Sequence, residues 1–112
     1  MRLHICDHIY LNVVVHESQE TMPESGLAGV WLGHAVENGL FGTLHLYAPK
    51  VSSGLFAHEL QHVLIDWACF TSMEPLYYEE DAEEMACLAQ SLTDQFMEYI
   101  ESEFEWDEDR YV

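Results

Sequence analysis

His58-Glu59-Leu60-Gln61-His62 places two imidazoles four residues apart, with a carboxylate directly after the first. On a helix, residues i and i+4 share a face, so both rings can address one metal ion. The glutamate, one residue on, swings round the helix to sit beside a metal-held water without being a ligand itself. Those groups suit metal-assisted hydrolysis. Zinc takes the two histidines, needs a third protein ligand, and keeps one position open for water. With 7 histidines in the chain, composition alone yields this pattern with an expectation of about 0.06. The surrounding elements must therefore carry part of the argument.

Leu60, Val63, Leu64 and Trp67 form an i, i+3, i+4, i+7 stripe, which predicts a helix over about 55–70. His58 and His62 fall on its opposite side. The serines of "KVSSG" can cap its start. "TSMEPL" then breaks the chain, and a second helix is predicted over about 79–104, with the stripe Met85, Leu88, Ala89, Leu92, Phe96, Tyr99 and Ile100. Its other side carries Glu79, Ala82, Glu83, Ala86 and Gln90. A turn near Pro75 would bring "YYEEDAEEMA" back over the metal, making Glu79, Glu80, Glu83 and Glu84 candidates for the third ligand. Glu83 is the choice because it lies further into the helix, with Glu79 next. The remaining acids of this run read as solvated surface or as helix-start charges favoured by the macrodipole. Tyr77, Tyr78 and His45 are candidates to stabilise an oxyanion. Asp66, one turn after His62, is a possible acceptor for a histidine N–H.

These helices need a sheet to rest on. From Leu3 to Val15 the odd positions are apolar except Asp7, which reads as a strand with a bend or bulge at Asp7. "HESQETMPESG" reads as a loop. "LAGVWLGHAV" is a second strand candidate, Asn38-Gly39 a hairpin turn, and "TLHLYA" a third strand ended by Pro49. If that third strand is a sheet edge, it can hold an extended peptide by strand addition. The expectation is α+β: a small, mainly antiparallel, three- to four-stranded sheet packed on two helices. One domain spans 1–112, with strands within 1–48, the metal helix over about 55–70, the glutamate helix over about 79–104 and an acidic tail over about 101–112.

The chain of 112 residues is 49% apolar, enough for a core without disulfides. Cys6, Cys69 and Cys87 cannot all pair and show no C-x-x-C spacing, so buried free thiols in a reducing compartment are expected. The net charge is −18, and Arg2, Lys50 and Arg110 are the only Lys and Arg residues. That argues against nucleic acid or an anionic membrane as partner and allows a basic peptide or protein. No apolar run is long enough to span a membrane, and no signal peptide is evident, so a cytoplasmic location is expected. His4, His8, His16 and His34 show no spacing that makes a second metal site. A monomer or a small homo-oligomer is compatible with all of this.

"AHELQHVLIDW" followed by "EEDAEEMACLAQSL" resembles the small gluzincin-type zinc metallopeptidases, most of all the minimal members that phages and other mobile elements of bacteria carry. The resemblance spans roughly residues 43–92. It implies a compact zincin-like fold, one zinc ion, His58 and His62 as ligands, Glu59 as general base, and Glu83 or Glu79 as third ligand. It also implies hydrolysis of a peptide or protein substrate, in the cytoplasm of a bacterial host. Gln61 departs from the small or apolar residue common at that position. Two other classes compete. One is a zinc-binding protein without activity. The other is an acidic interaction protein, an inhibitor or nucleic-acid mimic, in which the motif is incidental.

Overall fold

A computed structural model describes residues 1–103. The alternation from Leu3 to Val15 is two strands rather than one: β1 (Arg2–Cys6) and β2 (Ile9–His16), joined by a turn at Asp7-His8. Leu3 pairs with Leu11, odd with odd, so the apolar phase survives the reversal of direction. A bulge between His4 and Cys6 absorbs the mismatch at the turn. After a loop with one 3-10 turn at Gln19–Thr21, β3 (Gly29–Glu37) runs into Asn38-Gly39. Both turn residues have positive φ, 54° and 86°, as a two-residue hairpin requires. β4 (Leu40–Tyr47) returns and slots between β2 and β3.

The sheet order is β1-β2-β4-β3, with β2 and β4 parallel and the other pairs antiparallel. The fold is therefore α+β, with a mixed and mostly antiparallel sheet. The third predicted strand, β4, is interior and cannot act as the edge. β3 and β1 are the edges.

α1 (Ser53–Thr71) starts where Ser52 Oγ accepts the Leu55 N–H at 3.0 Å, a cap worth about 1 kcal/mol. It stops at Ser72, in the left-handed region with φ 58°. α2 (Glu79–Glu103) opens on three acids, Glu79, Glu80 and Asp81, which suits the positive end of its dipole. The acidic tail expected over 101–112 lies, from residue 104 on, outside the described residues.

Both predicted stripes face inward. Phe56, Leu60, Val63 and Leu64 of α1 and Leu92, Phe96 and Ile100 of α2 are buried against Leu3, Leu11, Val13, Leu44 and Leu46 of the sheet. Each such side chain contributes about 1.5–3 kcal/mol on burial. Phe96 meets Phe56 edge-on, with centroids 4.0 Å apart. Both helices lie on one face of the sheet, α1 over β3 and α2 over β1. No described helix covers the other face, where Val14 and Leu32 are exposed. The three cysteines are unpaired but exposed, not buried. Cys69 and Cys87 fall off the inward stripes of their helices, and Cys6 ends an edge strand. Among the described residues, no helix is long and apolar enough to cross a membrane.

Candidate active site

α1 brings His58, Glu59 and His62 together on its flank facing β3. All three line one cleft with Gly29, Val30 and Trp31 of that strand. The two imidazole centroids are 5.5 Å apart, with planes at 70°. Two imidazoles on one zinc ion have centroids separated by about 5 Å, so the pair is spaced for a shared ion. Both rings are exposed and free to turn toward one.

Glu59 differs. It is 5% exposed and is the one buried charged residue among those described. Its Oε1 lies 4.0 Å from His58 Nε2, and no hydrogen bond to its carboxylate is found among the described residues. Burying a carboxylate without partners is costly. Glu59 shares its cleft with both imidazoles.

β3 makes the wall of this cleft. A Cβ at Gly29 would stand 3.1 Å from Glu59 Cγ and 3.2 Å from Leu46 Cδ2. The strand therefore lies directly on the Glu59 stem, and glycine is what allows it. Two residues on, the Trp31 indole N–H donates to Asp66 Oδ2 at 2.6 Å, tying the edge strand to α1. Asp66 does line the histidine cleft, but its bonded partner is Trp31 rather than a histidine ring. Gly29 and Trp31 were not legible as site residues. The only hint was a glycine inside a strand pattern, which marks a close approach.

The glutamates of α2 are elsewhere. Glu79, Glu80, Glu83 and Glu84 line a separate cleft with Trp67, Leu88 and Ile5. The cause is the order of the layer. α2 lies over β1, at the opposite edge of the sheet from β3, and packs against α1 on the flank away from the histidines. Glu83 instead accepts a weak bond from Cys87 Sγ, at 3.8 Å. Among the described residues, no three His, Cys, Asp or Glu side chains converge as a metal-holding group. The donors that fit zinc are thus the two histidines, and none of the four glutamates lines their cleft.

The oxyanion candidates also sit apart. Tyr77 and Tyr78 are exposed in the turn before α2 and line a third cleft with Glu79, Glu80 and Asp81. His45 points to the helix-free face of the sheet, since its neighbours Leu44 and Leu46 are the core residues of β4. There it meets His16, with His16 Nε2 and His45 Nδ1 2.8 Å apart. Burial, helped by the nearby His16 and His34, holds the His45 imidazole below its ordinary pKa. No family model matches the chain, and neither curated proteins nor solved structures give a match.

Proposed function

We propose that the chain is a zinc-dependent hydrolase of peptide bonds, with His58 and His62 as ligands and Glu59 as general base. The observation that carries this is the buried Glu59 carboxylate, 4.0 Å from His58 Nε2 and beside two imidazoles spaced for one ion. Zinc held there supplies a water acidified toward neutral pH and a Lewis acid for the carbonyl. Glu59 takes the proton of the attacking water at its carboxylate and returns it to the leaving amine. Its burial excludes competing solvent and strengthens the electrostatics of that transfer. Among the described residues β3 pairs with β4 alone, so its other side can hold an extended substrate by strand addition. The charge of −18 favours basic segments.

Glu59→Gln tests the reading. Zinc content stays that of the unmutated chain while cleavage of a basic peptide library is lost, whereas His58→Ala loses cleavage and one zinc ion per chain. Zinc retained with no cleavage by the unmutated chain marks a binding protein without activity.

A second reading has its own observation, the four glutamates that line a cleft with Trp67, Leu88 and Ile5, away from the histidines. An acidic rim over apolar residues suits a basic partner protein. Under this reading, His58→Ala changes neither the zinc content of protein purified without chelator nor its stability.

A further inference from the structure

We infer that the helix-free face of the sheet carries a second site, for a divalent transition-metal ion, built on His16 and His45. It does not depend on the α1 histidines, which lie on the other side of the sheet.

The hydrogen bonds fix where each ring carries its proton. The Thr21 hydroxyl donates to the Ser18 carbonyl at 3.0 Å. Its oxygen is then the acceptor in the 2.8 Å contact with His16 Nδ1, so the His16 proton is on Nδ1. His16 Nε2 therefore carries the lone pair, and it accepts the His45 Nδ1–H at 2.8 Å. A histidine whose other ring nitrogen is held by an oxygen acceptor is the usual supporting arrangement for a metal ligand. Here the loop after β2 supplies it.

The spacing suits an ion. Two donors about 2.0–2.1 Å from one tetrahedral zinc are about 3.3–3.4 Å apart, so the pair opens by about half an ångström on binding. On binding, His45 changes tautomer. Its Nδ1 proton leaves to solvent and Nε2 takes one up, so no net proton is released. Nδ1 of His45 and Nε2 of His16 then both ligate, and water fills the remaining positions. His34 sets a third imidazole on the same face, with Nε2 3.4 Å from Thr43 Oγ1, two residues before His45 on β4. Imidazole donors select zinc, copper, nickel and cobalt over calcium and magnesium. The net charge of −18 raises the local concentration of any cation.

The test uses the full chain with His58→Ala and His62→Ala, which removes the α1 pair. Titration calorimetry with Zn²⁺ near neutral pH is expected to show one ion per chain. Adding His45→Gln, or separately His16→Gln, weakens binding about tenfold or more. On the same His58→Ala/His62→Ala chain, Co²⁺ selectively broadens the His16 and His45 ring resonances. The inference is overturned if the His58→Ala/His62→Ala chain takes up no zinc, if both glutamine variants bind unchanged, or if Co²⁺ leaves those two rings sharp.

Discussion

The Trp31 indole N–H and Asp66 Oδ2, 35 residues apart in sequence, meet at 2.6 Å across the mouth of the histidine cleft. This bond fixes the separation of β3 from α1, and with it the width of the space above Glu59. Trp31→Phe keeps the ring beside Phe41, which lies 5.8 Å away between centroids, and removes only the N–H. Together with Asp66→Ala it forms a double-mutant cycle. The expected coupling is about 0.5–1.5 kcal/mol, read from urea midpoints. A coupling of zero would mean that the contact does not hold the strand.

Gly29→Ala presses a methyl group against Glu59 Cγ, 3.1 Å away, and Leu46 Cδ2, 3.2 Å away. Neither neighbour can retreat, because Glu59 and Leu46 are both buried. The expected cost is about 1–3 kcal/mol, together with a fall in any cleavage activity. Gly54→Ala is the control. Its Cβ would meet only Ser52 Oγ, at 3.8 Å, on the first turn of α1, and the helix gains about 0.5–1 kcal/mol. Equal effects from the two substitutions would refute the close approach of β3.

His45 gives stability a pH dependence of known sign. Burial first, then the charges of His16 and His34, lower its pKa in the folded chain. Unfolded, the group returns to about 6.5. Between those values the unfolded chain binds more protons, so stability rises with pH there and is lost as pH falls below about 6.5. His45→Gln is expected to flatten this slope in urea midpoints measured on either side of that pH. An unchanged slope would assign it to other groups.

Local pattern carried a large part of the structure. The apolar stripes set both helices, Ser52 capped the first, and Asn38-Gly39 made its hairpin. The placement of β4 was not local. Nothing in "TLHLYA" distinguishes an interior strand from an edge, because that depends on the parallel pairing with β2, residues away in sequence. The same gap bears on Glu83 and Glu79, which line a different cleft from the histidines. A helix hairpin brings α2 back beside α1, but which flank it takes is decided by β1 and β3 at opposite edges of the sheet. The odd-with-odd register of β1 and β2 hid their turn, since folding back left the alternation intact. His16 and His45 escaped notice because their meeting is made by strand order, not by spacing.

Successive residues of β4 face opposite ways: Leu44 and Leu46 into the core, Thr43 and His45, both half-buried, toward the helix-free face. A slip of one residue in its pairing would reverse every one of them. It would push His45 in among the helices and strip the leucine floor from beneath Glu59. That alignment is held from both sides, by the parallel pairing with β2 and the antiparallel pairing with β3, so the contents of both faces of the sheet hang on the seating of one strand.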